Sequence, residues 1–229
     1  YAYQRIPEAS QGFCRQRCHQ LTADYYHGLR TPPEKWRGIE DVQPQLEEFD
    51  HRIRGGQYDA AATVLESIDE EFLQLQGRYQ QLVLMHQQLV GRLTTQPQAC
   101  KNLGNLALSC RRLGRLTEAV TYFQQAIAQA EGDSISTADW LTELGNTFAD
   151  AIEMDSAFSS YESAIEIASQ QNYLAGEARA LGNLAIAHRQ LGRIEDAILY
   201  YDRAIKIDQR RLEVAVNDDE NRTARRWYA

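Results

Sequence analysis

Cys14 and Cys18 stand one helical turn apart, with His19 beside the second. Thiolate and imidazole are good zinc ligands, but a closed structural site takes four, and no fourth ligand lies nearby in the sequence. Free cysteine is among the most buried residue types, so thiols packed on a buried helix face are the plainer reading. Four cysteines are too few and too scattered for a disulfide scaffold of this length, and a reducing, cytoplasmic setting follows. The five histidines (His19, His27, His51, His86 and His188) are dispersed, and none falls in H-E-x-x-H spacing. No G-x-S-x-G nucleophile elbow and no G-x4-G-K-[ST] phosphate loop occurs, so ATP binding by that loop is excluded. Carboxylate pairs such as Glu47–Glu48 and Asp218–Asp219 read as solvated surface. The expectation is a chain with no catalytic residue, no metal and no cofactor. An enzyme domain built on Cys14, Cys18 and His19 is the remaining alternative of that class.

Charge and composition narrow the partners. The formal net charge is −8, with no Lys/Arg-rich run, which argues against nucleic acid. No run of about eighteen apolar residues is present, so no membrane-spanning helix is expected. The chain opens YAYQRIPEAS, without Met or an apolar signal segment, and reads as a piece of a longer protein. Pro7, Pro32, Pro33 and Pro44 crowd the beginning, and Pro97 is the only later proline. The rest is rich in Ala, Leu, Gln and Glu and should be helical.

Self-comparison shows how those helices are arranged. NLALSCRRLGRLTEAVTYFQQAI (105–127), ELGNTFADAIEMDSAFSSYESAI (143–165) and NLAIAHRQLGRIEDAILYYDRAI (183–205) align without gaps. Each carries an A-x3-aromatic-x2-A core: Ala119/Phe123/Ala126, Ala157/Tyr161/Ala164 and Ala197/Tyr201/Ala204. Upstream, Leu106/Ala107, Leu144/Gly145 and Leu184/Ala185 repeat in phase. Small residues on both helices of a hairpin allow close approach, and the aromatics and leucines fill the gaps between. Gly114 and Gly192 suit left-handed C-caps that end the first helices. Ile152 stands at that place in the second repeat, so a differently built turn is expected there. One hairpin cannot bury its apolar face alone, but a stack can.

Residues 100–209 resemble the tetratricopeptide repeat (TPR) family. The period of 38 and then 40 residues is similar to the long-repeat variety of kinesin light chains, although the usual Trp and Pro positions are lost. The resemblance implies an all-α fold, a right-handed superhelical stack of antiparallel helical hairpins, with hairpins near 101–129, 138–168 and 178–209. VQPQLEEFDHRIR (42–54) and RGGQYDAAATVL (54–65) look like a further, degenerate hairpin, and 72–93 reads as one long helix before a break at TTQPQ (94–98). A helix is expected over 10–29, then an extended linker at the double proline. The expected organisation is 1–31 helical linker, 32–98 degenerate hairpin plus long helix, 99–209 three repeats and 210–229 a capping segment. In that cap NDDEN (217–221) reads as a polar break, and Leu212, Val214, Trp227 and Tyr228 are available for packing. HQLTADYYHGL (19–29), PPEKWRGIED (32–41) and 47–65 are similar to the segment joining the core to the TPR array in signal-transducing NTPases of the STAND class. That resemblance implies a sensor or regulatory arm whose NTPase lies upstream.

In TPR proteins the first helices line the ligand groove. The resemblance places Lys101, Asn105, Arg111 and Arg112 there in the first repeat, Asp139, Glu143, Asn146 and Asp150 in the second, and Arg179, Asn183 and Arg189 in the third. Asn at such sites either holds a peptide backbone or ties one repeat to the next. His188, where the family usually has Tyr, reads as a packing residue. The stretch 116–178 lacks any Lys or Arg but holds Glu118, Glu131, Asp133, Asp139, Glu143, Asp150, Glu153, Asp155, Glu162, Glu166 and Glu177. Single-sign runs mark interactions more often than mixed ones. The expected partner is therefore a protein or peptide, a basic one favoured, or another domain of the parent chain. Neutralisation by the flanking basic segments 99–115 and 179–193 is the internal alternative. A structural adaptor or oligomerisation scaffold is the competing function.

Overall fold

A computed structural model describes residues 14–130 and 132–227, with 214–227 described by backbone alone. Every regular element among the described residues is helical. The α-helices are α1 (Arg15–His27), α2 (Gln43–Arg54), α3 (Tyr58–Glu66), α4 (Tyr79–Gln87), α5 (Gln96–Arg112), α6 (Leu116–Gln129), α7 (Ser134–Asp150), α8 (Met154–Gln170), α9 (Leu174–Gln190) and α10 (Ile194–Trp227). The fold is an all-α helical repeat stack, and the helices pack as two compact units, 1–114 and 115–229. The division falls after Gly114, inside the first expected repeat, and not at the proline break near 98.

In the first unit, α1 packs on α2, α2 on α3, and α4 on α5. Its core gathers Phe49, Leu65, Phe72, Leu82 and Leu89. The double-proline segment is ordered by local turns and is not a plain extended linker. Pro32, Trp36 and Gly38 are extended, and 3-10 turns form at Pro33–Lys35 and Ile39–Val42. The Trp36 indole N–H donates to the Thr31 carbonyl at 3.0 Å, and its ring meets Phe72 edge-on. The single long helix expected over 72–93 does not form. A π-helix spans Asp69–Leu73, Gly77 turns left-handed at φ +67°, and α4 covers only Tyr79–Gln87. Leu75, 79% exposed, lies on that turn, so the apolar spacing that suggested one helix crosses a break it does not reveal.

In the second unit, α6 to α10 pack each on the next. The alanines at the crossings, Ala119, Ala157 and Ala197, are buried, as are Phe123 and Tyr161. Helices α5, α7 and α9 each have 17 residues. The lengthening of the repeat from 38 to 40 residues arises in α8, which has 17 residues where α6 has 14. The hairpin turns are alike. Gly114 and Gly192 take φ +73° and +72°, and Ile152 takes φ +63°. The N–H of Ile152 bonds to the Ala149 carbonyl and that of Glu153 to Phe148, matching Gly192 to Arg189 and Arg193 to His188. The second turn is thus built in the glycine conformation by a β-branched residue, which is a steric outlier.

The expected break at NDDEN is absent, because α10 runs without interruption to Trp227. Leu212 is 67% exposed and does not pack. The side chains of Val214 and Trp227, and Tyr228 altogether, lie outside the described residues, as do residues 10–13 of the first expected helix and the carboxylate of Glu131.

Candidate partner-binding surface

On α7, Asp139, Glu143, Asn146 and Asp150 follow at spacings of four, three and four, which places them on one face over three turns. The row is held from behind. Gly145 leaves room for the Tyr161 ring, whose hydroxyl donates to Asn146 Oδ1 at 2.8 Å. Asn146 Nδ2 in turn donates to Glu143 at 3.2 Å. Both ends of the Asn146 amide are therefore engaged, and it orients Glu143. Asp139 receives the guanidinium of Arg179 from α9 in an ion pair, and the Tyr173 hydroxyl approaches its other oxygen at 3.5 Å. The basic residue expected across the groove is thus seated on the acidic row in one place.

On α9, Arg179, Gly182, Asn183, Ile186 and Arg189 share a face by the same spacing. Arg179, Ile186 and Arg189 are exposed, and Asn183 is half-buried. Above Gly182 the helix backbone is bare, with nothing within 4 Å of where a Cβ would stand. Together α7 and α9 present an acidic row beside a strip of open backbone flanked by two arginines.

The first-repeat candidates lie in the other unit and behave differently. Lys101 is exposed, 4.0 Å from Glu66, Arg111 is half-buried and Arg112 exposed. Asn105 is 4% exposed, and its Nδ2 donates to buried Asp69 at 2.9 Å. His86 meets the same Asp69 oxygen through Nε2 at 3.0 Å and Asn102 Oδ1 through Nδ1 at 2.8 Å. Gln74 donates to the second oxygen of Asp69 at 3.0 Å, and Asn102 Nδ2 to the His86 carbonyl at 3.1 Å. Burial pushes the Asp69 carboxyl up, but the hydrogen bonds and charge of His86, with Gln74 and Asn105, outweigh it and hold the group below its ordinary value. Asn105 thus ties helices together, the second of its two expected roles. Asp69, His86 and Asn102 had no sequence signal beyond residue type.

Cys14 and Cys18 are half-buried, not fully buried; Cys14 caps α1, its sulfur accepting from the Arg17 N–H. Among the described residues no three His, Cys, Asp or Glu are grouped to hold a metal ion. His188 is sandwiched between Phe158 and Tyr200, at centroid distances of 4.6 and 5.1 Å, with Asp196 3.5 Å from Nδ1. It is a packing residue. Among the described residues no helix is long and apolar enough to cross a membrane.

Residues 98–170 and 153–210 match the tetratricopeptide repeat family, and that match, with the fold, supports a TPR assignment for this part of the chain. Among solved structures, the chain is similar to aspartyl phosphate phosphatase F from Bacillus subtilis (15% identity, TM-score 0.67). The match covers 87% of this chain and 54% of that one, about half its length. It is also similar to a MamA protein (18%, TM-score 0.61, covering 85% and 96%). A further likeness is to PlcR of Bacillus thuringiensis, solved with the peptide PapR7 and DNA (16%, TM-score 0.52, covering 90% and 68%). At such identities the likeness is one of fold. No curated protein matches the chain.

Proposed function

We propose that this chain is a non-catalytic protein- or peptide-binding module, and that the α7–α9 face receives a basic segment. The observation that carries the reading is the Asp139–Arg179 pair: the acidic row binds a guanidinium supplied from within the chain. Glu143 and Asp150 extend the row along the same face. The PapR7 peptide in the PlcR structure is an instance of peptide capture by a chain of similar fold. The triple variant Asp139→Asn, Glu143→Gln, Asp150→Asn, probed on an array of Lys/Arg-rich, neutral and acidic peptides, tests it. Loss of basic-peptide binding at an unchanged melting temperature is expected. A lowered melting temperature with no change in binding assigns the acids to internal neutralisation and overturns the reading.

The finer role, sensor or regulatory arm of a STAND-type signalling NTPase in the cytoplasm, rests on the resemblance carried by residues 19–65. In that setting ligand capture relieves an inhibited core. The upstream sequence tests it: a phosphate loop followed by a winged helix is expected.

A specific observation favours the scaffold reading as a second one. Ile194, Ile198, Ile205 and Leu212 are exposed along α10 at spacings of four and seven residues, an unpartnered apolar stripe. Light scattering of the wild type against Ile198→Lys/Ile205→Lys distinguishes a self-associating stripe from a monomer.

A further inference from the structure

The contact between α1 and α2 is polar along its length. Gln16 Nε2 donates to the Gly55 carbonyl at 3.1 Å. His19 and His51 meet Nδ1 to Nδ1 at 2.8 Å. Arg52 Nη2 lies 2.8 Å from Asp24, and His27 Nδ1 lies 3.2 Å from the carboxylate of Glu48, which is buried and not the solvated surface expected, and which Arg30 and Arg52 also hold. Among the described side chains of α1 only His19 and Ala23 are buried. The helix is held by ionisable pairs far more than by apolar surface.

At its centre is a pair with a fixed proton capacity. Two imidazole nitrogens 2.8 Å apart share one proton: one ring donates from Nδ1 and the other accepts with its lone pair. A second proton at that contact sets two N–H groups head to head and places two cations in rings 5.1 Å apart. Both rings are buried, so water screens the repulsion weakly. Burial, then His51, then Arg54 hold the His19 imidazole below the ordinary histidine value; Arg15 adds to this and Asp50 opposes it. Tyr26 stacks on His51. The carboxylates of the Ile39–Val42 turn and of α3, which also pack on α2, have partners of their own. Asp41 takes the N–H groups of Arg37 and Gly38, Glu40 lies over Gly38, Asp59 takes Thr94, and Glu66 faces Lys101.

We propose that the His19–His51 pair is an acid-sensitive latch that fastens α1 to α2 near neutral pH and releases it when both imidazoles are protonated. The sign follows from linkage. A histidine held below its ordinary value contributes stability that is present above about pH 6.5 and lost as pH falls below it. His27 Nδ1 also faces Glu48 across the seam. His27 is largely exposed, so water and salt weaken that contact.

Amide hydrogen exchange on the full chain, corrected for the intrinsic pH dependence, reads the latch directly. Protection of the α1 amides is expected to fall roughly tenfold between pH 7.5 and 5.5, while α7 to α9 stay unchanged. The variant His19→Gln/His51→Gln substitutes amides that hydrogen-bond without titrating, and its α1 protection is expected to be the same at both pH values. His27→Ala should keep the wild-type fall. Equal wild-type protection at both pH values, or the same fall in the double variant, overturns the proposal. If α1 is unprotected in the double variant even at pH 7.5, the wild-type histidine ring resonances decide. One ring staying neutral for as long as α1 is protected supports the latch. Both rings protonating while α1 remains protected overturns it.

Discussion

Gly145 and Tyr161 face each other across the α7–α8 crossing so closely that a Cβ on the glycine would come 2.6 Å from the tyrosine Cε1. The ring has nowhere to move: it is buried, and its hydroxyl is held by Asn146. Gly145→Ala gains helix propensity of about 1 kcal/mol. Against this, a clash in a packed core costs about 1–3 kcal/mol. A lower melting temperature is expected, with the Asn146–Glu143 contact disturbed. A melt at or above wild type would show that the helices separate without cost.

Ile152 offers the opposite outcome. It is 81% exposed, so replacing it removes little packing. Its left-handed backbone carries strain of about 1–3 kcal/mol for a β-branched side chain. Ile152→Gly relieves that strain while adding about 1 kcal/mol of chain entropy to the unfolded state. A net gain of about 1 kcal/mol, roughly 2–4 °C in Tm, is expected. A fall in Tm would mean the isoleucine packs in solution.

Asp69 sets an acid limit on the first unit. Its carboxyl is held below the ordinary value, so its contribution to stability is complete above the usual carboxylate range and is lost as pH falls through its folded value. Asp69→Asn removes a buried carboxylate that accepts hydrogen bonds from His86, Gln74 and Asn105, at a cost of about 1–3 kcal/mol. Urea unfolding across pH 3 to 7 checks both parts. The variant should be less stable at neutral pH and show a flatter acid limb.

If the α7–α9 face takes a basic segment as proposed, Arg179 competes with it for Asp139. The pair is partly exposed, so its removal should change stability by less than about 1 kcal/mol. Arg179→Ala should nevertheless tighten binding of a Lys/Arg-rich peptide and steepen its salt dependence. Calorimetric titration at two salt concentrations measures this, and weaker binding would place Arg179 in the ligand contact instead.

The α7–α8 and α9–α10 hairpins were legible because small residues recur where their helices pack, and buried Ala157 and Ala197 keep that signal through otherwise divergent repeats. The Asp69–His86–Asn102–Asn105 network was not legible. Asp69, His86 and Asn102 carry no mark of the repeat pattern, and Asn105, which falls on the period, does not reveal there which partners it takes. The same is true of His19 and His51, which stand 32 residues apart. The break at Gly77 was hidden because leucines continue at helical spacing on both sides of it. The α7 row was readable from charge, but not that Arg179 already sits on one end of it.

The polar character of the α1 seam also fixes how its opening registers in a thermodynamic experiment. The slope of a denaturant titration and the heat capacity of unfolding both scale with surface newly exposed, the latter mainly with apolar surface. With Ala23 the one apolar residue buried on α1, detachment hydrates little hydrocarbon. A calorimetric scan or a urea curve of the intact chain passes over the event almost without a step, so α1 can open and close far below the global transition while the bulk record looks like that of a protein at rest.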